Sequence, residues 1–369
     1  MFRKVKVGQN TGYEKSIPQH SKKPKVLTVF LTTVIIFCLS HILSSAVCYQ
    51  LLFLRVDRPD YSVMPGNICY QRLSNRLYRE EFFYQAGENK LKGYYYPSKE
   101  DKGLVVAVHG FKTGADSILP LIEHVVNRGF NVFSYDGTGT YESEGESSVG
   151  MVQALVDLDH TLNYIKNNAK YRDKPLFLIG FSRGGYAVSS VLALQDGISA
   201  CACLASLNDG STIMTEKAEQ YVGFLAYTAK PVFDVYQNAL FDDYTKYNGV
   251  NGINSVDIPV IVAHGVDDKT VTFKKQSIIS KKDEITNKNV VYFVEDGING
   301  GHRSLWHSEN AVKYQEQVEE QLKDLRKQKG RKLSRDELIA FYNTVDHSRY
   351  SEVNLELMNE VIYTFEKTL

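Results

Sequence analysis

At 369 residues, with 43% hydrophobic and 12% aromatic residues, the chain can bury the core of one large domain or of two small ones. Acidic and basic residues balance at 43 each, which removes any global charge argument for a nucleic acid or an acidic partner. Five cysteines do not make a disulfide framework: Cys38 and Cys48 lie in an apolar segment, Cys69 is alone, and Cys201 and Cys203 alternate along one predicted strand as small core residues do.

The first element is a basic leader, residues 1–25, holding Arg3, Lys4, Lys6, Lys15, Lys22, Lys23 and Lys25. Val26 to Leu54 then carries no charge, only His41, Gln50 and scattered Ser and Thr among aliphatic and aromatic residues. A helix needs about 20 apolar residues to cross a bilayer core, so this stretch predicts a transmembrane anchor. Downstream, as far as Ser74, the only cations are Arg55, Arg58 and Arg72. The positive-inside rule therefore predicts a single-pass chain with its N-terminus in the cytoplasm and the remainder on the extracytoplasmic side. Two alternatives stand beside the anchor: a cleaved signal peptide, with Ser44 and Ala46 before the cut, and a buried core helix.

Residues 55–78 read as a linker, irregular from Pro59 to Asn75. Arg79 to Tyr84 and Leu91 to Tyr96 flank Gly87-Glu88-Asn89-Lys90 as an antiparallel hairpin. Strands and helices then alternate. Leu104 to Val108 is a short continuous apolar run, as in a strand buried on both faces. Ile118, Leu119, Leu121, Ile122, Val125 and Val126 follow helical spacing up to Gly129. Phe130 to Tyr135 is a strand, and Met151, Leu155, Leu158, Leu162 and Ile165 mark an amphipathic helix. Lys174 to Ile179 is a strand, Gly184 to Leu194 a helix, and Ile198 to Leu204, Ile258 to Ala263 and Val290 to Val294 are strands. This order implies a mainly parallel sheet with helices on both faces, whose ligand site lies at the carboxyl ends of the strands.

Polar residues collect at those ends. His109-Gly110-Phe111 follows one strand and Asp136-Gly137-Thr138-Gly139 the next. Gly180-Phe181-Ser182-Arg183-Gly184 joins a strand directly to a helix, in the form of a nucleophile elbow. A serine in so sharp a turn leaves no room for side chains two residues before and after it. Asp267-Asp268 follows His264-Gly265, and Gly300-Gly301-His302 follows the last strand. His302 and His307, five residues apart, do not share a helical face, and with no zinc-type spacing elsewhere no metal or other cofactor is expected.

With this order of serine, acid and histidine, the chain from about Glu80 to His302 resembles an α/β-hydrolase. The loop from Asp136 to Gly145, with Ser143-Glu144-Gly145, resembles the serine aminopeptidase and monoacylglycerol lipase-like branch. The resemblance implies an α/β-hydrolase domain over 79–369, preceded by the one transmembrane helix. It implies Ser182 as nucleophile, His302 as base and Asp268 as the acid that orients it, with the backbone N–H groups of Phe111 and Arg183 as an oxyanion hole. Asp268 stands four residues after His264 with Val271 three further on, as in the family; Asp267 is the competing acid, and His307 and His347 compete with His302. His109 reads as a loop-shaping residue. Thr138 and Tyr141 stand where the family usually has Arg and Gly.

Residues 208–257 read as a small helical cap, rich in Tyr221, Phe224, Tyr227, Phe233, Tyr236, Phe241 and Tyr244. These rings either favour an apolar acyl or peptidyl substrate or pack the cap on the core. Residues 308–369 are an extension: a helix over Ala311 to Leu325, a basic break from Lys327 to Lys332, a capping box at Ser334-Arg335-Asp336-Glu337, and a closing helix over Leu355 to Phe365. The function expected is a membrane-anchored serine hydrolase acting on a small-molecule ester, thioester or amide. A membrane-tethered binding protein of the same fold and an acyltransferase are its rivals.

Overall fold

The computed structural model describes residues 23–369, apart from the side chains of Lys23, Pro24, Lys25, Tyr221 and Leu225; the basic leader lies almost wholly outside the described residues. The first element is α1 (Lys23–Leu52), of which Val26–Leu52 is long and apolar enough to cross a membrane by length and composition. Val26, Phe30, Ile36, Phe37 and Leu43 all stand exposed. The chain divides into a unit that ends at Ser44 and a second, compact unit, Ser45–Leu369. The last two turns of α1 belong to the second unit, where Tyr49 and the following Phe53 are both only 1% exposed.

An eight-stranded sheet organises the second unit, in the spatial order β1-β2-β4-β3-β5-β6-β7-β8. β1 (Glu80–Ala86) and β2 (Asn89–Tyr96) form an antiparallel hairpin in which Glu80 faces Tyr95 and Ala86 faces Asn89. β2 lies antiparallel to β4 (Asn131–Tyr135). The rest is parallel: β4 with β3 (Leu104–Val108), then β5 (Leu176–Phe181), β6 (Ile198–Leu204), β7 (Val260–Gly265) and β8 (Val290–Glu295). Every residue of β3, β4, β5 and β7 is buried, as expected of strands covered on both faces.

The two-residue period divides each strand between two cores. Val106, Val108, Leu178, Cys201 and Cys203 pack on one face, with α3 (Gln153–Asn167) and α4 (Arg183–Ser190). Val105, Ala107, Phe177, Ile179, Ala200 and Ala202 pack on the other, with α2 (Leu119–Asn127) and the closing helix α11 (Leu355–Glu366). The Cys201 and Cys203 sulfurs lie 3.7 Å apart as free thiols on one face of β6.

Between β6 and β7 the chain forms the cap: α5 (Thr212–Val222), α6 (Ala226–Phe241) and α7 (Gly249–Asn254). Its aromatic rings mostly fasten it down. Phe233 and Phe241 are buried, and Tyr236 and Tyr244 pack against the core, whereas Phe224 and Tyr227 face outward.

The stretch 55–78, expected as a linker, is part of the domain. Leu73 and Leu77, one helical turn apart, are buried in the sheet's second core, and the Arg79 guanidinium lies 3.8 Å from the centre of the Tyr70 ring. The C-terminal extension clasps the same stretch. Its helices are α8 (Glu309–Lys329), α9 (Arg335–Tyr342) and α10 (His347–Tyr350). Val318, Leu322, Tyr342 and Val345 make a small core that includes Val63. Arg335 pairs with Asp60 at 2.7 Å, His347 Nδ1 accepts from the Gly66 N–H, and Ser351 Oγ accepts from the Asn67 N–H. The basic break is shorter than expected: α8 continues through Lys329 and ends at Gly330 in the left-handed conformation. Ser334 and Glu337 form the expected capping box.

Candidate active site

Ser182 stands between β5 and α4 with φ +58° and ψ −115°, a conformation that a non-glycine residue adopts only when its surroundings impose it. The surroundings are backbone. A Cβ on Gly180 would overlap the Gly184 carbonyl, and one on Gly184 would overlap the carbonyl of Val108. Both flanking positions therefore exclude side chains, for the steric reason that their spacing around the serine predicts.

The turn after β7 brings in Asp268, and the loop after β8 brings in His302. These two segments touch: the Asp267 N–H donates to the Gly300 carbonyl at 2.8 Å. His302 Nε2 lies 3.0 Å from Ser182 Oγ, and His302 Nδ1 lies 2.6 Å from Asp268 Oδ2. The other oxygen of Asp268 accepts the backbone N–H groups of Thr270 and Val271 at 2.7 and 2.9 Å. His264 Nε2 approaches Oδ2 at 3.2 Å and the Val271 carbonyl at 2.9 Å. Burial alone would raise the Asp268 pKa. Hydrogen bonds from His264 and His302, the charge interaction with His302 and the Val271 N–H outweigh it and hold the carboxyl well below its ordinary value. Asp268 is thus an ionised carboxylate aimed at the imidazole.

Its competitors lie elsewhere. Asp267 is exposed. His307 is buried, stacked on Trp306 at a centroid distance of 4.0 Å, with Nδ1 against the Glu352 carbonyl. Burial depresses its pKa to about 4, so it is neutral. His347 serves as the acceptor for Gly66.

Of the two backbone donors expected for an anion, one follows the serine directly in the chain and the other follows Gly110. Arg183 opens α4, so its N–H is among the first-turn donors that have no intrahelical acceptor. Gly110, which precedes Phe111, is close enough to the elbow that a Cβ on it would come 3.5 Å from Ser182 Cβ. His109 shapes this second loop: its Nδ1 meets the Gly110 carbonyl at 2.8 Å, and its Nε2 accepts the Gly137 N–H at 3.2 Å. A neutral ring alone provides one donor and one acceptor, and burial depresses the pKa to about 4.

The loop after β4, where Thr138 and Tyr141 stand in place of the expected Arg and Gly, is held in a definite way. Tyr141 takes φ +50°, with the Arg58 guanidinium 4.8 Å from its ring centre and Tyr61 Oη 3.4 Å from its hydroxyl. Thr138 binds Asp157 through both its N–H and its hydroxyl. The buried Arg183 side chain donates to the carbonyls of Ser148, Gly150 and Met151, tying the end of this loop to the elbow. Neither this anchorage nor the His264 contact to Asp268 has a local sequence signal. A cavity of about 380 Å³ beside Asp268 is lined by Glu216 and Glu219 of the cap and by Val266, Thr272 and Phe273.

Residues 99–252 match the family model described as Hydrolase_4: Serine aminopeptidase, S33. Protein phosphatase methylesterase 1 of Candida albicans is 24% identical over 153 residues, covering 37% of this chain and 42% of that protein. Lysophosphatidylserine lipase ABHD12 of Danio rerio is 27% identical over 197 residues, covering 52% of this chain and 50% of the relative. The chain thus spans about half or less of the length of these two relatives. Among solved structures, the esterase Pf2001 of Pyrococcus furiosus superposes with a TM-score of 0.52 at 19% identity, over 75% of this chain and 98% of the esterase. On its sheet order and these likenesses, the chain has the α/β-hydrolase fold.

Proposed function

We propose that the protein is a membrane-anchored serine hydrolase that cleaves a carboxylic ester through an acyl-enzyme. The observation that carries this reading is the continuous hydrogen-bonded line from Ser182 Oγ through His302 to Asp268, set at a strained elbow at the carboxyl end of the sheet.

Ser182 attacks the carbonyl carbon as His302 Nε2 takes its proton, and the imidazolium so formed is stabilised by the ionised Asp268. The N–H groups of Phe111 and Arg183 receive the oxyanion of the tetrahedral intermediate. Collapse expels the alcohol, which takes the proton back from His302. Water, deprotonated in its turn by His302, then releases the acid and frees Ser182.

An ester is favoured because the similar proteins named above are a methylesterase, a lysophospholipid lipase and an esterase. The match to a serine aminopeptidase model supports an amide as the second reading. For the anchor, the uncharged helix and the basic leader support an N-terminus in the cytoplasm and a catalytic unit on the other side. The test is turnover of a substrate panel by the detergent-extracted full chain: acyl esters of graded length, a lysophospholipid, a thioester and aminoacyl amides. Ester cleavage that Ser182→Ala abolishes is expected. Cleavage of the amides alone would replace the ester reading with the peptidase one.

A further inference from the structure

We infer that Phe53, the residue just after α1, is a positioning residue for both halves of the oxyanion hole; this rests on the serine hydrolase reading above. Its ring meets the Phe111 ring edge-on at a centroid distance of 5.3 Å. Its carbonyl accepts the Ser148 N–H at 2.9 Å. Ser148 in turn offers its own carbonyl to the Arg183 guanidinium at 3.3 Å, beside those of Gly150 and Met151. Phe111 and Arg183 are the two residues whose backbone N–H groups the hydrolase reading assigns to the oxyanion. One side chain and one carbonyl of a single residue therefore reach the side chains of both donor residues, by separate routes.

The need for such a clamp follows from where the donors sit. The Phe111 peptide lies in a loop between Gly110 and Lys112, which takes φ +55°, so nothing regular in the backbone fixes its plane. A ring packed on the Phe111 ring restrains that plane. Arg183 itself opens α4, but the loop whose carbonyls receive its guanidinium is irregular, and the segment after α1 laces that loop down. Val56 N–H donates to Gly139, Tyr141 N–H donates to Val56, and the Arg55 guanidinium collects the carbonyls of Tyr141, Ser143 and Gly145. Phe53 is 1% exposed and Tyr49 packs on its other side, 4.8 Å between centroids. Oxyanion donors contribute most when they are already aimed before charge develops, so a residue that fixes their aim acts on the transition state more than on substrate binding.

The experiment compares full-length wild type, Phe53→Leu, Phe53→Ala and Leu77→Ala in detergent. Active sites are titrated with a fluorophosphonate, so that unfolded protein does not enter kcat. Leu77 lies in the core on the opposite face of the sheet and controls for lost stability alone. On a short-chain p-nitrophenyl ester, Phe53→Ala is expected to lower kcat about 10- to 100-fold with KM within about twofold. The inhibition constant of a trifluoromethyl ketone, which forms a hemiketal oxyanion on Ser182, should rise in proportion. Phe53→Leu, which keeps an apolar side chain of similar bulk, should fall between and gives the reading if the alanine variant does not fold. Unchanged kcat per titrated site in both Phe53 variants, with stability lowered as in Leu77→Ala, overturns the inference; so does a raised KM at constant kcat. A wild type that neither labels nor turns over removes the hydrolase reading itself, and the inference with it.

Discussion

His302 Nδ1 and Asp268 Oδ2 stand 2.6 Å apart although 34 residues separate them, because the Gly300 carbonyl holds the Asp267 N–H and so joins the two loops. On the proposed mechanism, this contact assigns to Asp268, rather than to its exposed neighbour, the setting of the imidazole tautomer. Asp268→Asn should keep the fold and cost about 10⁴ in kcat, since the amide can donate to Nδ1 and favour the wrong tautomer. Asp267→Asn should cost far less. Reversal of these two effects in steady-state kinetics would move the acid to Asp267.

His307 is buried and neutral, with a pKa near 4 against an ordinary value of 6.5. Between pH 6.5 and 4 the unfolded chain binds a proton here and the folded chain does not. Stability from this group is therefore complete above pH 6.5 and falls as the pH falls, by about 1.4 kcal/mol per unit. His307→Gln should retain turnover per active site, and its stability deficit relative to wild type should shrink as the pH is lowered through that window in denaturant titrations. A deficit that grows on acidification would mean that His307 is charged in the folded state.

Much of this was legible in the sequence for a physical reason. β3 was delimited to the residue by its continuous apolar run, β6 matched its expected bounds, and the glycines of the elbow carried their steric requirement in their spacing. Ser182, Asp268 and His302 each follow a strand, and a parallel sheet sends all such residues to one edge. Residues 55–78 were not legible. Their order comes from Leu73 and Leu77 docking on the sheet and from long-range bonds such as Arg335 to Asp60, which no local pattern records. The anchorage of Arg183 was hidden likewise, because its partners are main-chain carbonyls, which any residue supplies.

If residues 55–78 are integral to the domain, truncating one of their buried leucines should behave as a core deletion. Leu77→Ala should lower stability by about 2–5 kcal/mol. A loss below about 0.5 kcal/mol, the usual range for an exposed site, would return the segment to the status of a linker.

The uncharged helix should hold the protein in the membrane fraction through carbonate washing, with the catalytic unit open to protease added outside sealed cells and the leader protected. A mature chain that begins near Val47 would instead establish a cleaved signal peptide. Protection of the catalytic unit would invert the topology.

The most direct measurement is mass-spectrometric mapping of the adduct formed when the intact, membrane-extracted protein meets a fluorophosphonate. A single covalent phosphonate on Ser182 is predicted, lost in Ser182→Ala and slowed by about 10⁴ or more in His302→Ala, because the hydroxyl is a weak nucleophile without its base. An adduct on another residue, or undiminished labelling in folded Ser182→Ala, would contradict the account.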